Sequence, residues 1–166
     1  VPERLNAFAQ ALEATGGDAA VAEEAYGRAV AVQPARADIW VNFGRLLESQ
    51  GRLEEATAAY REAAEQEPWL TAASYNLGTA LARSGRLPEA RRSLLDAVKL
   101  EPRDPQIWGN LGAVYGQLGQ PESTRFAFGQ AVLLAPDNPV ALGNLGAFYV
   151  NSQEYERAIP YLERAI

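Results

Sequence analysis

The stretch Trp108–Gly119, WGNLGAVYGQLG, decides the fold. Trp108, Leu111, Gly112 and Tyr115 fall at i, i+3, i+4 and i+7, the spacing of one face of an α-helix. Among them stand Asn110, whose side chain competes for nearby backbone groups, and glycines that each cost roughly 1 kcal/mol relative to Ala in a helix interior. A helix that keeps such residues keeps them for something other than its own propensity. Gly119 breaks the run, and a second periodic stretch follows through Phe128 and Ala131.

The stretch recurs. Asn42, Asn76, Asn110 and Asn144 open NFG or NLG triplets 34 residues apart, and Pro34, Pro68, Pro102 and Pro136 keep the same interval. So do Gly51, Gly85 and Gly119, and Ala63, Ala97, Ala131 and Ala165. Several residue types held in one register mark a repeated structural unit. Each unit reads as two helices: Trp40, Phe43, Gly44 and Leu47 lie on the first, and Ala56, Tyr60 and Ala63 on the second. The Gly after the first helix suits a left-handed cap, Pro88 and Pro121 suit the start of the second helix, and the periodic prolines stop it.

A Trp, Leu, Gly, Tyr, Phe, Ala, Pro order at this period, met most fully by Trp108, Leu111, Gly112, Tyr115, Phe128, Ala131 and Pro136, resembles the tetratricopeptide-repeat (TPR) family. The resemblance implies an all-α, right-handed α-solenoid of about five TPR helix-turn-helix units, forming a single array over 1–166 with units near 2–36, 37–70, 71–104, 105–138 and 139–166. Unit one fits with one extra residue in its inter-helix turn, and Ala7 then occupies its Asn slot. Unit four carries Thr124 where a small packing Ala is usual, and Gly129 within its second helix, which predicts the loosest unit. Unit five stops at Ile166 without a closing Pro; this unsealed end predicts either a piece of a longer array or a face covered by another chain.

Composition narrows the function. With 15 Lys and Arg against 21 Asp and Glu, the formal charge of −6 disfavours nucleic acid and anionic membrane as partners and leaves protein or peptide. The absence of Cys excludes disulfides and thiolate metal sites, and the absence of His removes the commonest general base and metal ligand. With no Cys nucleophile and no phosphate-binding Gly loop, the reading is no enzyme, no cofactor and no metal. No apolar run reaches the length of a membrane span, and the compartment is unreadable. Richness in Ala, Leu and Arg points to a GC-rich bacterial source.

The asparagines lie on a different face from the core stripe. At about 100° per residue, Asn110 points roughly 150° from the centre of the Trp108, Leu111, Gly112 and Tyr115 stripe. Gln106, Asn110, Ala113 and Gln117 share that face, and Ile107 and Val114 turn to a flank that suits the neighbouring unit. In stacked helix pairs the first helices line the concave wall. The wall then carries Asn42 and Arg45, Asn76 and Arg83, Asn110 with Gln106 and Gln117, and Asn144 with Asn151, while Tyr75 stands beside Asn76. Asn alone is constant. Gly109, Gly116 and Gly143 beside it serve either tight helix packing or close approach of a ligand backbone.

An Asn side chain both donates and accepts, so it can hold a peptide group without reading the sequence. With stacked helices about 8–10 Å apart and an extended chain advancing about 3.1–3.4 Å per residue, roughly three ligand residues pass each unit. The column resembles the Asn ladder in the superhelical TPR groove of O-GlcNAc transferase and is similar in logic to the importin-α groove. Solvated asparagines, or asparagines that tie first helices together, are the plainer alternative.

The functional expectation is therefore a non-catalytic interaction scaffold that binds an extended peptide through the Asn ladder, with Arg45 and Arg83 favouring acidic side chains. The substrate-recruiting arm of a larger enzyme, such as a protein glycosyltransferase, is one alternative. A bacterial assembly or pilus-biogenesis protein, or one that self-associates through the unsealed C-terminal end, is another. Trp40 and Trp108 read as core, and Trp69, in an inter-unit turn, as packed onto its own loop, with an exposed apolar spot as the alternative.

Overall fold

Ten helices and no strand make up the computed structural model, which describes residues 1–166. In chain order they are α1 (Pro2–Thr15), α2 (Ala19–Val32), α3 (Ala37–Ser49), α4 (Leu53–Gln66), α5 (Thr71–Arg83), α6 (Leu87–Leu100), α7 (Pro105–Gln117), α8 (Pro121–Leu134), α9 (Pro139–Asn151) and α10 (Tyr155–Arg164). The all-α expectation holds, and odd-numbered helices are the first members of the repeats. The chain divides into two compact units, Val1–Arg86 and Leu87–Ile166, with the boundary in the turn between α5 and α6.

In Val1–Arg86, α1 packs on α2 and α3 on α4, while α5 covers α4. Here α1 adjoins α3 and α3 adjoins α5, but α2 does not reach α4. In Leu87–Ile166, α7 packs on α8 and α9 on α10; α7 adjoins α9, whereas α8 does not reach α6 or α10. First helices thus stand closer together than second helices in each unit, which makes the first-helix layer the concave one.

In three of the pairs one contact sets how closely the two helices can pack. A Cβ added at Gly44 would lie 2.5 Å from the Tyr60 ring, at Gly112 2.5 Å from the Phe128 ring, and at Gly146 2.5 Å from Leu162. Side-chain contact at these distances is forbidden, so these glycines are required by packing. Around them the small residues Ala22, Ala29, Ala56, Ala63, Ala90, Ala97 and Ala131 are fully buried or nearly so. Ile107 and Val114 are also buried, on the flank that their register predicts.

Helix ends follow the local chemistry. The side chains of Asp18, Asp104 and Asn138 accept backbone N–H groups in the first turns of α2, α7 and α9. After the first helices, Gly16, Gly51, Gly85 and Gly119 take φ of 65°, 76°, 74° and 68°. The fifth repeat places Gln153 there instead, at φ 62°. Left-handed backbone brings Cβ against the following carbonyl, which glycine alone avoids.

The tryptophans meet a different outcome from the one expected. Trp69 does not pack onto its own loop: it is 69% exposed. It sits in the short turn ahead of α5, outside the helix faces that pack, and so lacks a layer to fold against. Trp40 and Trp108 are half-buried, and their indole N–H groups donate to the Pro34 and Pro102 carbonyls, each at 2.9 Å, so they also tie a first helix to the preceding turn. Thr124 fits its tight site because its hydroxyl donates to the Gln120 carbonyl at 2.9 Å, which removes the cost of burying it.

Two stability outcomes follow. Gly112→Ala costs about 1–3 kcal/mol by overpacking against Phe128, whereas Gly129→Ala, with no neighbouring atom within 4 Å, gains up to about 1 kcal/mol; urea unfolding monitored by circular dichroism separates the two. Gln153→Gly relieves the left-handed strain and raises stability by about 0.5–1 kcal/mol in the same measurement.

Candidate functional site

The asparagine positions fall on the first-helix layer, all four of them half-buried: Asn42 on α3, Asn76 on α5, Asn110 on α7 and Asn144 on α9. Their environments differ. Asn42 Nδ2 donates to Asn6 Oδ1 at 3.3 Å, across from α1. The Asn slot of unit one holds Ala7, as the register predicts, and the partner of Asn42 is the residue before it, Asn6. This contact is the helix-to-helix tie that the plainer alternative describes, and it occurs in Val1–Arg86.

The same unit holds most of the charge on the wall. Arg83 is bound to the Glu48 carboxylate, whose other oxygen accepts the Tyr60 hydroxyl at 2.8 Å. Arg83 is therefore engaged before any ligand arrives, while Arg45 is exposed on α3. One repeat earlier the Tyr26 hydroxyl donates to Glu13 at 2.6 Å. Burial first, and then the carboxylate each one binds, push both phenols far above the ordinary value of about 10. Both remain protonated donors that neutral pH cannot switch. Tyr75 is half-buried beside Asn76.

In Leu87–Ile166 the wall opens into two clefts that share Asn144. One, of about 470 Å³, is bounded by Gly112, Gly116, Phe128 and Phe148, with Gln117, Asn144 and Asn151 on its walls. The other, of about 480 Å³, is bounded by Gln106, Gly109, Asn110, Val140 and Asn144. Five residues singled out from sequence, Gln106, Asn110, Gln117, Asn144 and Asn151, thus line clefts between α7 and α9. A Cβ at Gly143 would meet nothing within 4 Å, and one at Gly109 only Asn144 Nδ2 at 3.9 Å. Helix packing does not require these two glycines, which leaves clearance above the wall as their physical effect.

Sequence reasoning missed the aromatic walls of the first cleft, Phe128 and Phe148. The signal was available in the register: the position of Gly116 is Glu48 two repeats earlier, and that of Phe128 is Tyr60. Elsewhere, Glu54, Glu55, Glu62 and Glu65 are exposed on α4 as a solvated face. Tyr155 and Ile159 leave an apolar face on α10, each more than half exposed. No helix is long and apolar enough to cross a membrane, and no group of three or more Asp or Glu side chains could hold a metal ion.

Comparison with known proteins agrees with this architecture. Tetratricopeptide-repeat family models match residues 6–68, 49–114, 105–138 and 141–166. No curated protein sequence matches the chain. Among solved structures, MamA 41-end from Desulfovibrio magneticus RS-1 is similar at a TM-score of 0.90 and 20% identity, covering 99% of this chain and 92% of that one. Pseudomonas aeruginosa PilF is similar at 0.85 and 20% identity, covering 99% of this chain and 74% of that one. YrrB, described as a TPR protein with an unusual peptide-binding site, is similar at 0.74 and 24% identity, covering 86% of this chain and 74% of that one. At these identities the structural likeness speaks for the fold alone. The 34-residue period, the paired helices closed on glycine, and family matches spanning nearly all of the sequence have one source: the chain belongs to the tetratricopeptide-repeat family.

Proposed function

We propose that the chain is a non-catalytic protein–protein interaction scaffold that holds an extended peptide against its first-helix wall by asparagine carboxamides. The observation that carries this reading is Asn144, which lines both clefts, beside Gly109, a glycine that no packing contact requires. A carboxamide there offers one acceptor and two donors to a passing backbone. The open glycines let that backbone come within hydrogen-bonding range.

The peptide-binding site ascribed to YrrB supports the reading by analogy of fold. The engaged state of Arg83 narrows the expected taste for acidic side chains to the surroundings of Arg45. Four carboxylates have arginine partners: Glu23 and Glu55 are held by Arg52, Asp38 by Arg36 and Glu48 by Arg83, which makes these four poor candidates for acid–base work. The apolar face on α10 keeps self-association within the proposal.

A ligand selected from a random-peptide display library, titrated calorimetrically, tests the ladder. An Asn110→Ala, Asn144→Ala double variant loses about tenfold to a hundredfold in affinity, since each amide hydrogen bond contributes about 0.5–1.5 kcal/mol. Unchanged affinity in a folded double variant removes the ladder. Sedimentation equilibrium across a wide concentration range tests the α10 face: mass rises with concentration in the wild type and does so less for Ile159→Glu, while a constant monomer mass excludes self-association.

A further inference from the structure

The register comparison between α3–α4 and α7–α8 shows a substitution of chemistry as well as of size. In Val1–Arg86, the last turn of α3 carries Glu48, bound by the Tyr60 hydroxyl from α4 and by Arg83. At the same register in Leu87–Ile166, Gly116 stands in place of the carboxylate and Phe128 in place of the phenol. Both partners of the polar contact are gone together, and an open cleft of about 470 Å³ stands there. That volume falls in the roughly 300–1,000 Å³ range of ligand pockets.

The cleft has one charge character throughout: no ionisable side chain lines it. Its floor is the Phe128 ring with Gly112 and Gly116, and Phe148 closes one wall. The Thr124 hydroxyl within it is already committed to the Gln120 carbonyl. The remaining polar side chains are uncharged: the Ser152 hydroxyl and carboxamides, among them Gln117, Asn144 and Asn151. Carboxamides satisfy peptide N–H and C=O groups, whereas an ionised side chain placed on the Phe128 ring would lose its hydration with no counter-charge to replace it. Packing does not impose the openness, since a Cβ at Gly116 would meet only Thr124, at an ordinary 3.7 Å.

We propose that this cleft between α7 and α9 is an anchor site for one uncharged aromatic or large aliphatic side chain of an extended peptide. It rests on the peptide-binding reading above and adds selectivity to it: the carboxamides hold backbone without regard to sequence, and the cleft selects which residue of the ligand lodges there.

The test uses blocked tripeptides, N-acetyl-Gly-X-Gly-amide with X as Phe, Leu, Lys or Asp, titrated into the isotopically labelled chain while the backbone amides of Gly112, Gly116 and Ala147 are followed by NMR. The Phe and Leu peptides produce saturable shifts at those amides, at least about tenfold tighter than the Lys and Asp peptides. Gly116→Leu and, from the opposite wall, Ala147→Leu fill the cleft and abolish that preference; an unperturbed spectrum elsewhere verifies that each variant folds. Asn144→Ala weakens all four peptides alike. Equal binding of the Asp or Lys peptide, or undiminished Phe binding by both filled variants, overturns the anchor site. Loss of Phe binding in the filled variants with no effect of Asn144→Ala leaves the anchor and removes the ladder, so the two failures are distinguishable. Shifts at the same amides on raising protein concentration without peptide identify a second copy as the occupant and also overturn the proposal.

Discussion

The close approach of α3 to α4, α7 to α8 and α9 to α10, each at a single glycine, is the constraint on which the rest depends. At Gly44, Gly112 and Gly146 the neighbouring side chain lies where a Cβ would have to go. This contact sets the separation of first and second helices, and the separation in turn decides how much of the first helix remains for other uses. Because the pair is joined along one narrow stripe, the opposite face of the first helix takes no part in closing the pair. Asparagines, glutamines and glycines, poor residues for an isolated helix, can accumulate there because burial of the other stripe supports the helix.

The concave arrangement follows from the same geometry. First helices touch their like within each compact unit and second helices do not, so whatever the first helices carry is brought together, while the outer helices are spread into solvent. The exposed glutamates of α4 and the half-buried asparagines of the odd-numbered helices are two results of that asymmetry. In Leu87–Ile166 it produces clefts; in Val1–Arg86 the wall is instead occupied by Tyr26 with Glu13 and by Tyr60 with Glu48 and Arg83.

Much of this is legible in the sequence because a repeat announces itself many times. The period of Pro34, Pro68, Pro102 and Pro136 and the glycine register identify helix pairs without any knowledge of contacts, and helical spacing places Asn110 away from Trp108. Contacts between successive first helices are harder to read, since they join residues such as Asn6 and Asn42, or Glu48 and Arg83, that no local periodicity links. Trp69 was misread because a large apolar side chain ordinarily finds cover, whereas the turn that holds it provides none. The Phe128 cleft is hardest of all, since it arises from what Gly116 lacks, and a missing side chain becomes a cavity only when its neighbours leave the space open.

The hydrogen bond between Asn42 and Asn6 has a thermodynamic corollary. A carboxamide is a peptide group carried on a side chain, so Asn6 presents to Asn42 the same functional group that a ligand backbone would present. A peptide that engages Asn42 through that donor exchanges one amide partner for another and forms no net new bond, and the rotamer it needs is already held. Peptide association at Asn42, if it follows the proposed mode, would then resemble strand exchange more than adhesion: nearly isoenthalpic at that contact, and discriminating by fit instead of by bond strength.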